Sequence, residues 1–301
     1  MELTLGPALF NWKKEEFLRF YQSVADSPVD TVYIGEVICT KRRGLSVRDI
    51  EEIADALSKK GKKVILSTPA IVAGREELDY IEAILALPYP VEANDMSVLN
   101  LAEGKEVVAG PHIEVYNHVA VEFLMCCGVK RITFPVELPA ETVRDCIEKT
   151  SIFGEIVAHG KLPLAFSWRC YTLRAEGLKR KDCRNQCSQW PEGMEIKTLN
   201  GERVFNINGT SILSAKPLSL VELICQIRAM GIKALRIYPH HSHTPHTLRI
   251  YKDAIEGNLS PEEAMAELRD LYGGEEFVNG WFFGGAGKDY HNTKIQEVGQ
   301  W

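Results

Sequence analysis

The chain has 301 residues, 45% hydrophobic and 25% charged, with a formal net charge of −6. That composition supports a large core and excludes the classes of disordered and fibrous chains, while the acidic balance argues against a nucleic-acid partner, Lys179-Arg180-Lys181 being a local exception. No apolar run reaches the roughly 18 residues of a membrane span, and the start MELTLGPALFNWKKEE lacks a basic head with a long apolar stretch, so a cytoplasmic location and no transmembrane segment are expected.

Residues 31–38 (TVYIGEVI) open a strand-then-helix pattern. The helix over 46–58 puts Val47, Ile50, Ile53, Ala54 and Leu57 on one face, with Ser46 suited to the N-cap and Asp49 to the third helical position. The same alternation recurs at 63–67 and 76–87, at 91–92 and 97–102, at 107–109 and 117–127, and at 131–134 and 140–149. Short loops between such units imply parallel pairing through right-handed crossovers. After 155–158 the rhythm breaks. Residues 159–216 read as an insert, with a strand at 162–167, a polar cysteine-bearing stretch, and a β-hairpin over 194–207 turning at Asn200-Gly201. Helix and strand resume at 219–230 and 232–238, and a closing helical stretch covers 247–271. About eight units predict an α/β fold, a (β/α)8-type barrel that need not be regular. It forms a single domain over 1–301, with a Cys-bearing β-hairpin insert at 159–216 and a surface tail at 273–301.

Eight cysteines without an export signal point to metal ligation or burial rather than to disulfides. Cys170, Cys183 and Cys187 lie in WRCYTLRAEGLKRKDCRNQCSQWPEG, a stretch too polar for core cysteines. Cys39 follows a predicted strand end beside Lys41, Arg42 and Arg43, cations expected to lower its thiol pKa. Cys126, Cys127, Cys146 and Cys225 sit among apolar residues of helical segments and read as small buried hydrophobes. Four thiolates suit tetrahedral zinc or an iron–sulfur cluster. A solitary Cys39 joined to a distant trio fits a cluster better, because its several irons accept ligands from separated loops, but spacing alone leaves zinc open.

His240, His241, His243 and His246 follow the strand at 234–238 and read as a polar loop at a barrel mouth, since no helical spacing fixes a ligand geometry. The chain has no GxSxG, HExxH or Walker-type loop, and Gly284-Gly285-Ala286-Gly287 lacks the strand and helix of a dinucleotide site.

LTLGPALFNW, VYIGEVICTKRR, VILSTPAIV, ANDMSVLNL, FPVEL and HGKLPLAFSWRCYTLR followed by Cys183-x3-Cys187 resemble the UbiV branch of the collagenase-like peptidase family. The similarity runs over about residues 1–216; the His240 to His246 run and the ending FVNGWFFGGAGKDY depart from it. The resemblance implies that Cys39, Cys170, Cys183 and Cys187 hold a 4Fe-4S cluster. It also implies that the protein forms a heterodimer with a UbiU-like partner, and that the pair hydroxylates a ubiquinone precursor without dioxygen, with prephenate as oxygen donor. Because guanidinium groups bind carboxylates bidentately, Arg42 and Arg43 are then candidates for holding prephenate. A non-catalytic iron–sulfur scaffold subunit, or a peptidase or RNA-hydroxylation relative, are the alternatives the family allows.

Overall fold

The computed structural model describes residues 1–42 and 44–292. Eight parallel strands carry the pattern read above: β1 (Glu2–Leu5), β2 (Thr31–Gly35), β3 (Lys63–Ser67), β4 (Val91–Ala93), β5 (Val107–Ala109), β6 (Arg131–Thr133), β7 (Phe153–Phe166) and, after an insert of three further strands, β11 (Ala234–Ile237). β11 pairs in parallel with both β7 and β1, so the sheet closes into a (β/α)8-type barrel. Closure removes the exposed sheet edges that an open arrangement would leave. Around it lie α1 (Lys14–Ala25), α2 (Val47–Lys59), α3 (Arg75–Leu85), α4 (Met96–Leu101), α5 (His118–Cys126) and α6 (Ala140–Thr150). The insert carries α7 (Tyr171–Ala175), and α8 (Ile224–Ala229), α9 (Thr244–Glu256) and α10 (Pro261–Leu271) follow it.

Strand alternation divides the barrel chemically. Leu3, Leu5, Val32, Ile34, Leu66 and Ile132 belong to the main apolar core. Tyr33, Ile65 and Val108 form a small separate cluster. Alongside them the strands bury Thr4, Ser67, Glu92, Thr133, Glu155 and Arg236 at 0% exposure. Where such barrels usually fill with branched apolar side chains, this one is crosslinked by charge. Arg236 donates from Nε to Glu155 Oε1 (2.8 Å), from Nη1 to Glu92 Oε1 (2.6 Å) and from Nη2 to Thr133 Oγ1 (2.7 Å). Arg131 donates from Nε to Glu155 Oε2 (2.8 Å), and Tyr33 Oη donates to the same oxygen (2.8 Å). Burial pushes the Glu155 carboxyl up, but Arg236 and Arg131 outweigh it and hold it at about 2.

Local signals place several boundaries. Ser46 accepts from Asp49 N (3.2 Å) and Asp49 Oδ2 accepts from Ser46 N (2.9 Å), the reciprocal cap read from the sequence. The closing helical stretch at 247–271 is two helices, not one. Gly257, at φ +81°, ends α9, and Ser260 with Pro261 and Glu263 starts α10.

Three further expectations change. The insert does not begin at 159: β7 is one continuous strand whose first half lies in the barrel and whose second half leaves it. There it pairs antiparallel with β10 (Ser211–Ser219), itself hairpin-paired to β9 (Arg203–Asn208), with β8 (Met194–Lys197) at the edge. Residues 273–292 are not simply a surface tail. Phe277 and Val278 are buried, and Asn279 N and Gly280 N each donate to Asp289 O at 2.9 Å, folding the segment back on itself; residues 293–301 lie outside the described residues. Of the four cysteines expected to be buried, Cys126, Cys127 and Cys225 are exposed and Cys146 alone is buried. α5 is apolar on both sides, so Val121 and Leu124 fill the core while Val119, Phe123 and Cys126 face outward; on α8, Ile224 and Ile227 take the inward positions.

Candidate iron–sulfur site

The loop after β2 and the insert meet at the barrel's C-terminal face, where sites in this architecture are built. Cys39 sits in a turn organised by Glu36, whose Oε1 accepts from Ile38 N (2.7 Å) and Cys39 N (2.9 Å). Cys170 caps α7, its Sγ accepting from Leu173 N at 3.5 Å. Cys183 ends the short 3-10 turn Arg180–Asp182, and Cys187 is buried in the next one, Gln186–Gln189. The structure brings all four side chains to one cavity, whose walls also include Lys41, Arg42 and Arg180. Among the described residues no set of three or more His, Cys, Asp or Glu side chains is arranged to hold a metal ion.

Cations do not control the thiols as expected. Burial, reinforced by Glu36, pushes Cys39 up to about 11 against the opposing pull of Arg42 and Arg180. Burial likewise raises Cys170, with Cys187 and Cys183 adding to it after the opposing backbone N–H of Leu173. Ligation requires thiolates, so loading this cavity with metal would release protons.

Arg42 lines the same cavity but is also tied into the fold. It is 6% exposed, and its two terminal nitrogens hold the insert to the barrel. Nη1 donates to Leu9 O (2.9 Å), Nη2 to Asn208 O (2.7 Å) and to Asn208 Oδ1 (2.9 Å), and Glu36 Oε1 stands 3.7 Å from Nη1. Its terminal nitrogens thus meet protein acceptors. Its Nε is buried with no hydrogen-bond partner among the described residues. Arg43 lies outside the described residues.

Two participants were missed. Asn11 Nδ2 donates to Cys187 Sγ (3.2 Å) and Asn185 Oδ1 (2.6 Å). Gly209 closes the turn between β9 and β10 at φ +67°, and a Cβ there would lie 3.3 Å from Arg42 Nη2 and 3.6 Å from Cys187 Sγ. The Asn208-Gly209 pair between alternating residues was the available signal for this hairpin. Four sulfur donors, cationic walls and an unpaired Arg42 N–H suit an anionic sulfur-bearing group better than a bare cation. Arg42→Gln is expected to cost about 3 kcal/mol of stability by leaving Asn208 and Leu9 carbonyls unpaired in the core, and to lower iron content in parallel. Urea unfolding and iron analysis check both. A variant of unchanged stability and iron content that loses activity would support the substrate role.

The four loop histidines do not form one site. His240 and His243 stack at 4.6 Å and pack against Tyr272, His241 packs on Trp12, and His246 is exposed. Beneath them His159 is 0% exposed, with Nε2 2.9 Å from Tyr272 Oη and Nδ1 without a partner among the described residues. Burial, then His240 and His243, lowers His159 to about 3. An imidazole kept neutral in the fold but of ordinary pKa when unfolded leaves stability intact above pH ~6.5 and erodes it as pH falls toward ~3, because only the unfolded chain takes up the proton. From pH 7 to 5 this one group is expected to cost about 2 kcal/mol. His159→Phe should show a correspondingly shallower loss of Tm over that interval, and an unchanged slope would assign the acid sensitivity elsewhere.

The sequence model of peptidase family U32 matches residues 14–292. The chain belongs to peptidase family U32. Among U32-like relatives, tRNA hydroxylation protein P1 of Bacillus subtilis (strain 168) is 27% identical over 234 residues, 69% of this chain and 53% of that protein. Collagenase of Porphyromonas gingivalis (strain ATCC BAA-308 / W83) is 22% identical over 313 residues, 90% of this chain and 70% of that one. The chain thus spans about half the length of the first relative. Among solved structures, phospho-2-dehydro-3-deoxyheptonate aldolase of Thermotoga maritima aligns with a TM-score of 0.46 at 11% identity, over 90% of this chain and 70% of that one. Among the described residues, no helix is long and apolar enough to cross a membrane.

Proposed function

We propose that this U32 protein is the 4Fe-4S-binding component of an oxygen-independent hydroxylase of ubiquinone biosynthesis, the role of the UbiV branch, with the cluster on Cys39, Cys170, Cys183 and Cys187. The observation that carries the reading is the convergence of those four thiols, from a barrel loop and a distant insert, on one cavity. When bound, the cluster supplies one-electron redox chemistry. The chain's own residues would hold it by four thiolates, with Asn11 Nδ2 and Arg42 Nε as N–H donors that tune it. A hydroxylation role agrees with the name of the relative tRNA hydroxylation protein P1. A UbiU-like heterodimer partner is part of the reading, and the exposed Val119 and Phe123 of α5, one turn apart, offer apolar side chains to one. Prephenate remains the proposed oxygen donor.

The test is anaerobic purification of the chain, alone and co-expressed with its partner, with iron and sulfide analysis, followed by quinone measurement in cells grown without oxygen and lacking the gene. About four irons with matching sulfide, and quinone lost in the deletion strain, are expected. Stoichiometric zinc without sulfide overturns the cofactor. A second reading, RNA hydroxylation, is favoured by the same relative's name; normal quinone with loss of a hydroxylated tRNA nucleoside would establish it instead.

A further inference from the structure

A second cavity, of about 240 Å³, opens at the barrel mouth beyond the ends of β5 and β6 and beside the departing half of β7. It shares no lining residue with the cysteine cavity, but Phe166 in its wall precedes Cys170 by four residues on the chain. We infer that this cavity binds the hydroxylation substrate itself, as an uncharged single aromatic ring of the phenol class, and that it rejects carboxylates. The inference deepens the proposed function and rests on it for the identity of the reaction.

Size comes first. An enclosed cavity of about 150 Å³ accommodates benzene, so about 240 Å³ has room for one substituted ring. Shape comes second. Pro111, Pro135 and Pro163 contribute flat faces, while Phe166 and Trp281 contribute aromatic ones, with His112 edge-on to Phe166 at 4.6 Å between centroids. Such walls favour a planar ring by stacking and edge contacts.

Charge decides the class. The lining contains Glu114 and Glu137 and neither lysine nor arginine. Burial, then the nearby Arg236, depresses His112 to about 3, so the imidazole brings no compensating charge at neutral pH. A carboxylate entering here would lose water and face two like charges without a counterion, which is discrimination by repulsion. A phenolic hydroxyl meets the opposite situation, since either glutamate can accept its proton in a hydrogen bond. Prephenate, with two carboxylates, is excluded on the same ground and must bind elsewhere.

The segment at 277–292 supplies the remaining wall and gives a reason for the glycine run that fits no dinucleotide site. Trp281 stands on the 3-10 turn Gly280–Phe283, and a Cβ at Gly287 would lie 2.5 Å from Trp281 Cε2. Gly287 is therefore glycine because the indole occupies the space of any larger side chain.

Isothermal titration of the purified chain at pH 7 with 2-methylphenol and with 4-hydroxybenzoate tests the inference. Saturable binding of the phenol is expected, with the benzoate weaker by about tenfold or more. Trp281→Ala and Gly287→Ala should each weaken the phenol by about tenfold, and Glu114→Gln with Glu137→Gln should bring benzoate affinity close to that of the phenol. The inference is overturned by absence of phenol binding, by benzoate binding as tightly as the phenol, or by unchanged affinity in a folded Trp281→Ala protein. Should that variant fail to fold, the glutamine pair decides, and an unchanged phenol-to-benzoate ratio there overturns the inference. Repeating the titration on Cys170→Ala separates the two readings. Phenol binding retained by the variant places the site apart from the cysteine cavity; in the wild-type chain, phenol binding without iron retains this site and removes the iron–sulfur hydroxylase, whereas a full cluster without phenol binding does the reverse.

Discussion

Replacing any one of Cys39, Cys170, Cys183 and Cys187 by alanine is expected to take anaerobically purified protein from about four irons per chain to less than about one. The expectation rests on geometry: the four thiols line one cavity, and Cys146 and Cys225, the controls, are remote from its walls. Cys146→Ala and Cys225→Ala should keep their iron. Cys39 is the most exposing test, because it alone comes from the barrel while the other three come from the insert. In the proposed cluster, loss of its thiolate would remove the one link between the two, so the insert of iron-free protein should also become more susceptible to proteolysis near 176–190. A Cys39→Ala protein with full iron and sulfide would mean that another group completes the site.

The largest stability effect is expected at Arg236. Its guanidinium is 0% exposed, bonds Glu92, Glu155 and Thr133, and lies over the Tyr33 ring at 3.9 Å. Arg236→Met fills similar volume but strands two buried carboxylates, and breaking such a network from one side costs about 3–5 kcal/mol. Glu155 keeps Arg131 as a partner, whereas Glu92 keeps, among the described residues, Ser67 Oγ (2.6 Å) and Asn94 Nδ2 (3.1 Å). Adding Glu92→Gln should recover part of the loss, and the double-mutant cycle measures it. Additive effects, or a Tm drop below about 3 °C for the single variant, would show that the network contributes little.

Much of this architecture was legible because its determinants are local. Alternation on strands and helical spacing, as in Val47, Ile50, Ile53, Ala54 and Leu57, read out the repeating units, and the Ser46 and Asp49 pair marked a helix start to the residue. The cysteine-bearing stretch stood out because thiols among Arg, Lys, Asp and Glu have no packing reason to be there. What remained hidden depends on which distant surfaces meet. Arg42 looked like a free loop cation; only the return of β9 and β10 places Asn208 against it and turns it into a buried clamp. Cys126 and Cys225 looked apolar enough to bury, but each helix has one face toward the barrel and others claimed it. Glu92, Glu155 and Arg236 each sit singly within an ordinary strand, and nothing nearby in sequence announces a partner 81 or 144 residues away. The sequence by itself determined the strand-helix order, the capped start of α2 and the polar setting of the thiols in the insert, because propensity, periodicity and side-chain chemistry act over a few residues. Barrel closure, the convergence of Cys39 with the insert, the ion network inside the barrel and the walls of the mouth cavity were decided only by tertiary structure, because charge pairing, desolvation and cavity shape depend on contacts between segments far apart in the chain.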